Sequence, residues 1–321
     1  MTRELIRRAL QMIPILFGIS LVVFTLVQLE PGDAVDAMIP PDAIGVTPAM
    51  RQQIRQQLGL DQPAPIRYVY WLKNALKGNF GYSLGTRQPI TKIIGQRMPA
   101  TLLLVGFALL MSIVLGTAIG VLSAIKQYSW LDYLVTLFSF SWLSIPSFFL
   151  GLVVIFIFAV KLNWFPAFGI SSPGVTGPAV IWDRFHHLLL PGLTLGLELT
   201  AALTRYVRSG LLEVLSSDYL RTARAKGLRE WRVVVLHGLR NALIPAITVI
   251  ALRIPVLFSG AVVVETVFQW PGLGTLTLSA ANQRDYPLIM ALALMLTGIV
   301  VVSNFLADVA YMIVDPRIRY G

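Results

Sequence analysis

The sequence predicts an all-α polytopic membrane protein with six spanning helices and both termini in the cytoplasm. Three observations carry that prediction. The first is composition: of 321 residues, 56% are hydrophobic and 13% charged, with a mean hydropathy of +0.72, whereas soluble domains carry about 25% charged residues. The second is segmentation, because the apolar residues fall into runs of spanning length. The third is where the cations lie, between those runs and on alternate sides of them.

A spanning helix needs about 20 apolar residues. Charge-free runs occur at Ala9–Leu29, Met98–Ile125, Tyr133–Val160 and Tyr286–Ala307. Two more are each interrupted by one charge, Glu198 within Phe185–Thr204 and Arg253 within Asn241–Val264. The first run follows basic residues, as a signal peptide would. It lacks an evident small-residue cleavage site and is long enough to span, so it reads as an uncleaved first helix. An even number of spans places both ends on one side. Arg3, Arg7 and Arg8 before the first run, and Arg317 and Arg319 after the last, assign that side to the cytoplasm. The loops Lys126–Asp132 and Arg205–Arg240 then also face the cytoplasm, and Glu30–Arg97 and Lys161–Arg184 lie outside. The eight Lys/Arg of Glu30–Arg97 do not contradict this, since long loops translocate largely regardless of charge. Within that outer segment, Pro48–Leu58 and Ile66–Leu76 read as helices separated by the breaker GLDQPAP. Pro146, Pro191, Pro245 and Pro255 fall in or near spans and read as packing kinks, which membrane helices tolerate.

Several chemistries are excluded or unsupported. There is no cysteine, hence no disulfide, thiolate catalysis or cysteine metal site. GNFGYSLG and PGLGTLTLS are glycine-rich, but neither is followed by the Lys-Ser/Thr of a phosphate-cradling loop. His186 and His187 are adjacent and face different sides of a helix, so they read as interfacial rather than as metal ligands. Nothing convergent marks the chain as an enzyme. The net charge of +10 could suggest nucleic acid, but half of it lies between Arg205 and Arg240, with eight Lys/Arg against three Asp/Glu. That distribution fits the positive-inside bias and not a nucleic-acid face.

The densest part of that loop is DYLRTARAKGLREW, 218–231. Its first eight residues read as a short helix with Tyr219, Leu220 and Ala223 on one side. Gly227 breaks it, with φ > 0 expected there, and LREWRVVVLHGLRNALIP resumes a helical pattern toward the fifth span. The result is a helix–glycine–helix elbow whose small residues Ala223 and Ala225 permit close approach and whose cations suit an acidic rim. An ordinary positive-inside loop would need the cations but not the elbow.

DYLRTARAKG followed by HGLRNALIP resembles the coupling (EAA) loop of ABC importer permeases of the dipeptide/oligopeptide/nickel branch. The likeness extends over the chain through LEPGDA (29–34), LGLDQP (58–63), GNFGYSL (78–84), QRMPATLLL (96–104) and VVVETVFQWPGLG (262–274). It departs from the general loop at Arg221, which stands where that loop has Glu, and the following positions read Thr222 and Ala223. The resemblance implies a type I importer permease fold. Residues 1–97 would form the first spanning helix and a long periplasmic segment. Residues 98–321 would form a five-helix permease core, with the coupling loop at 211–240. It implies a multi-pass protein of the bacterial inner membrane that pairs with a second homologous permease. Two ATPase subunits would bind ATP and Mg, leaving no cofactor in this chain, and a periplasmic or lipid-anchored solute-binding protein would deliver solute. It assigns ATPase coupling to Asp218, Tyr219, Arg221, Thr222, Ala223, Arg224, Ala225, Lys226 and Gly227. The implied cargo is dipeptides, oligopeptides or related solutes such as glutathione and opines, with nickel chelates and oligosaccharides as alternatives inside the class. A stand-alone secondary transporter or channel would need coupling charges in several helices and would leave the elbow without a task.

Glu198 and Arg253 have two readings, because intramembrane charges avoid lipid: a structural ion pair, within the chain or between subunits, or candidate residues of the translocation path that attend the charged ends of a zwitterionic peptide. Counted from the loop ends, they lie about 10 Å and about 18 Å along their helices, near enough in depth to pair. Glu265, Phe268, Pro271 and Gly272 sit in a turn with two readings. One is a headgroup belt of Phe268 and Trp270. The other is an outer gate or a receptor contact.

Overall fold

Hydrocarbon offers the backbone no hydrogen-bond partner, so runs of this composition satisfy their own amides, and helix is the form they take. The computed structural model describes residues 2–29, 35, 47–57 and 59–314. LEPGDA beyond Leu29, the Leu58 that opens LGLDQP, and both Arg317 and Arg319 lie outside the described residues. Among the described residues there is no β-strand, only an isolated pairing of Tyr82 with Pro89. Among the same described residues, five helices are long and apolar enough to cross a membrane, six if one sharply bent pair counts as a single span.

In order, the helices are α1 (Thr2–Leu29), α2 (Pro48–Gln57), α3 (Ala64–Leu76), α4 (Ile90–Ile125), α5 (Trp130–Ser144) and α6 (Ser147–Val154), the last running into a π-helical turn, Ile155–Lys161. There follow α7 (Ala179–Leu215), α8 (Asp218–Ala225) and α9 (Glu230–Arg232), which passes through a π-helical segment, Val233–Gly238, into α10 (Leu239–Val267). The last described helices are α11 (Leu273–Asn282) and α12 (Tyr286–Val314). The expected outer helices are α2 and α3, each within a few residues of its predicted limits.

The third apolar run departs from expectation. It is not one helix: α5 stops at Ser144, and α6 leaves at 112° to it. Pro146 is the cause. It forces the preceding Ile145 into an extended conformation (φ −91°, ψ 125°). The hydroxyls of Ser141 and Ser144 donate to the carbonyls of Leu137 and Phe140 in the last turns before the break. The fourth run is longer than the composition indicated. At 37 residues, α7 measures about 55 Å, well beyond a hydrocarbon core of about 30 Å, and it carries the chain directly to the elbow.

Packing divides the chain into two compact units, residues 100–271 with 302–321, and residues 2–99 with 272–301. The expected boundary at 97/98 thus falls inside the continuous helix α4, and α11 groups with the N-terminal segment. In the first unit α7 is the central post. Its buried face includes Leu190, Leu195, Leu199, Leu203, Val207 and Leu211, and it packs against α5, α6 and α10. Against α4 the approach is closer still. A Cβ on Gly120 would stand 2.8 Å from the carbonyl oxygen of Thr204, and one on Gly196 would stand 2.9 Å from that of Ala108. Only glycine fits there, and the Ser112 hydroxyl uses the proximity to reach the Gly196 carbonyl at 2.7 Å.

The second unit has two clusters. Ile90, Ile94, Leu273, Leu288 and Leu292 form one core. Phe24, Tyr68 and Met290 form another, where the Tyr68 and Ser20 hydroxyls share a hydrogen bond of 2.7 Å. Between α3 and α4 the chain makes a tight loop. Ile90 donates its N–H to the Gly81 carbonyl, Arg87 donates to that of Ser83, and the fully buried Asp285 accepts from the Ser83 hydroxyl at 2.5 Å and the Gly85 N–H at 3.3 Å.

Candidate coupling elbow and intramembrane charges

The elbow begins where α7 ends at Leu215. Ser217 is extended (φ −73°, ψ 150°) and starts α8 with Asp218 in the first turn, where a carboxylate suits the helix N-terminus. One residue anchors it. Leu220 is completely buried, and its Cδ1 and that of Leu211 both converge on Gly238. The expected apolar side is otherwise only partly so: Ala223 is half-buried, whereas Tyr219 is exposed, its hydroxyl accepting from Asn241 Nδ2 at 2.9 Å. Gly227 turns the chain with φ +76°.

Arg224 differs from its neighbours in its partner. It reaches across the glycine turn to Glu230, with Nη2–Oε1 at 2.8 Å and Nε–Oε2 at 3.1 Å. The guanidinium holds the Glu230 carboxyl below the usual carboxylate range, and the Arg224 pKa is raised in turn. This pair latches α8 to α9, so Arg224 is committed inside the elbow. The surface that remains is formed by Asp218, Arg221, Thr222, Ala225 and Lys226, all exposed, with Trp231 beyond the turn also exposed. Arg221 and Asp218 sit 3.4 Å apart, too exposed a pair to contribute much.

Glu198 and Arg253 are brought together: Arg253 Nη1 donates to Glu198 Oε1 at 3.0 Å. Their side chains are 51% and 39% exposed.

The 265–272 turn differs from the expected headgroup belt. Phe268 and Trp270 are buried, at 2% and 0% exposure. The Trp270 indole donates to the Ala100 carbonyl at 2.9 Å, and the wholly buried Glu265 accepts from the Thr101 hydroxyl at 2.5 Å. Phe268 offers its carbonyl to the Gly169 N–H. In this conformation neither Glu265 nor Phe268 reaches the surface. Pro271 is half-buried and Gly272 buried.

Sequence reasoning missed a further cluster, because Asp132 counts there only as the last residue of a loop. Asp132 is buried (3% exposed) at the start of α5 and accepts from Arg208 Nε at 2.7 Å, Arg208 Nη2 at 2.8 Å, the Ser123 hydroxyl and the Tyr128 N–H. It clamps α4, α5 and α7 together ten residues before the elbow. Asp132 beside a span and Arg208 at the foot of α7 were the available signal, but 76 residues separate them. Among the described residues no group of His, Asp and Glu could hold a metal ion.

Residues 116–320 match the binding-protein-dependent transport system inner membrane component family, and residues 1–105 match the N-terminal region of such membrane components. The chain belongs to this family. The permease is 44% identical over 321 residues to the oligopeptide transport system permease protein AppB of Bacillus subtilis, covering all of both chains. It is 38% identical over 320 residues to the glutathione transport system permease protein GsiC of Escherichia coli K12, again with complete coverage of each. Its fold resembles a chain of the inward-facing MetNI methionine ABC transporter at a TM-score of 0.55 and 17% identity, covering 71% of this chain and 99% of that one. The protein is therefore a multi-pass inner-membrane permease subunit of an ABC importer and not an enzyme. ATP hydrolysis in such systems is done by separate ATPase subunits, and the class works with a partner permease and a solute-binding protein.

Proposed function

We propose that this permease pairs with a second, similar permease to import short peptides and related solutes such as glutathione, and that α8 is the contact through which ATPase subunits drive it. The observation that carries the coupling reading is the anchored elbow. Leu220 fixes α8 to α7 and to the π-helical segment leading into α10, and the Arg224–Glu230 latch fixes its angle. A push on the exposed face of α8 therefore passes to two long helices and is not dissipated in a loose loop. That face joins Arg221, Thr222, Ala225 and Lys226, small residues beside cations, and it suits a groove with an acidic rim. The names and full-length similarity of the relatives support the peptide-type cargo. In this reading a periplasmic or lipid-anchored binding protein meets the opposite end. There the buried Glu265 and Phe268, with Pro271 and Gly272, hold the outer turn as a gate element.

The test is Ala223→Asp, which places a charge at the half-buried side of α8. The variant is expected to insert and to pair with the second permease, but to lose copurification with the ATPase subunits and binding-protein-dependent peptide uptake. Normal ATPase capture and uptake would remove α8 from the coupling contact.

A further inference from the structure

Across residues 186–204 of α7, every position but one is buried or half-buried, and the exception is Glu198. Over that stretch the central post opens in one place only, and what it shows there is a carboxylate near the middle of a spanning helix. Arg253, halfway along α10, meets it with a single hydrogen bond. Beside Arg253, α10 turns Leu252, Val256 and Ser259 outward, so the pair sits in an otherwise largely apolar face.

A guanidinium has five N–H donors and a carboxylate two acceptor oxygens. This contact uses one donor and one oxygen, and leaves Nε, Nη2 and Oε2 without another partner among the described residues. Lipid cannot satisfy them, and a dry seal against another subunit would strand them. The pair therefore calls for water, a polar ligand or polar groups of a partner subunit. Its two charges cancel, so it repels neither ion, and it offers a cation and an anion side by side. A solute with a free carboxylate and a free ammonium matches both, the carboxylate across Nε and Nη2 of Arg253, the ammonium on Oε2 of Glu198. A half-exposed pair holds itself only weakly, so a passing zwitterion could exchange with it and leave again.

We infer that Glu198 and Arg253 form a zwitterion-reading site in the translocation path, selecting solutes that carry both free ends. The inference rests on the peptide-import reading and names its substrate class more narrowly. The experiment uses the complete complex in proteoliposomes with its binding protein. It compares uptake of a free dipeptide, its C-terminal amide and its N-acetyl form by wild type, Arg253→Gln, Arg253→Lys and Glu198→Gln. Wild type is expected to favour the free dipeptide over each blocked form. Arg253→Gln should lose roughly tenfold in free-dipeptide turnover, one charge-assisted hydrogen bond's worth, and should no longer distinguish the amide. Arg253→Lys should recover part of that loss, and Glu198→Gln should lose the distinction against the acetylated form. Unaltered preferences in both Gln variants would overturn the inference, since selection would then lie wholly in the binding protein. So would reduced recovery of assembled complex in Arg253→Gln that is restored by adding Glu198→Gln, the mark of a structural pair. If wild type imports none of the three, the peptide reading fails first and this one with it.

Discussion

At Gly227 the backbone enters the left-handed region, and nothing lies within 4 Å of where a Cβ would stand. The cost of replacement there is conformational alone. For a non-glycine residue it is about 1–2 kcal/mol, more for a β-branched one, which cannot relieve the clash. Gly227→Val should therefore leave the spanning helices intact while swinging α9 away from α8 and breaking the Arg224–Glu230 latch. Gly227→Asn, which tolerates the left-handed region, should stay near wild type. The ratio of peptide imported to ATP hydrolysed separates the two, and equal ratios for both variants and wild type would show that the turn has no part in coupling.

Among the elements, α7 depends on how tightly α4 and α5 hold it. The Asp132 clamp joins all three through one buried carboxylate. Asp132→Asn would remove the countercharge of Arg208, and the expected loss is about 3 kcal/mol, the low end for a buried pair because Arg208 is partly exposed. Thermal unfolding of the purified complex in detergent reads this. The double variant Asp132→Asn with Arg208→Gln should lose less than the two single losses combined, since it strands no charge; strict additivity would mean that the two residues act separately. This clamp also marks the limit of what the sequence conveys about elements. Apolar runs give the spans, and Pro146 reads as a kink, but neither yields the break at Ile145 with its 112° bend or tells that Arg208 will arrive at Asp132. Phe268 and Trp270 read as a headgroup belt for the same reason. Aromatic residues near a span end suit an interface, and the carbonyl that captures Trp270 lies 170 residues away.

For the whole molecule, the alternation of basic loops predicts both termini inside, with residues 30–97 and 161–184 outside. The absence of cysteine makes this directly measurable. A cysteine introduced at the exposed Gln52 of α2 should react with an impermeant maleimide added from outside. One at Lys226 should react only after the inner face is opened. Labelling of the Gln52 position from the cytoplasm alone would invert the orientation. The elbow was legible at this scale because its signal is local: a glycine between two amphipathic stretches, realised as α8, the turn at Gly227 and α9. The Glu198–Arg253 pair was legible as two charges in apolar runs. Their contact was not, because register between distant helices is set by packing such as the glycine seam of α4 and α7, which a single sequence does not display.

The loop before α4 adds a consequence for biosynthesis. Ser83 and Gly85 rely on an acceptor 202 and 200 residues further along the chain. At roughly 5–20 residues per second, a ribosome needs about 10–40 s to supply it. Until Asp285 emerges, the loop 81–89 has only its own short-range bonds, and every span before α12 waits in the bilayer with that site open. A chain ending after Asn282 should be cut by trypsin at Arg87, whereas the full chain should resist. Full-length Asp285→Ala should be cut almost as readily as the truncated chain, despite having every helix. If Asp285→Ala resists trypsin like the full chain, then the arrival of α12 as a whole, and not of its preceding carboxylate, is what closes the loop. If instead Asp285→Ala is cut, quality control that surveys this permease finds its last checkpoint at residue 285.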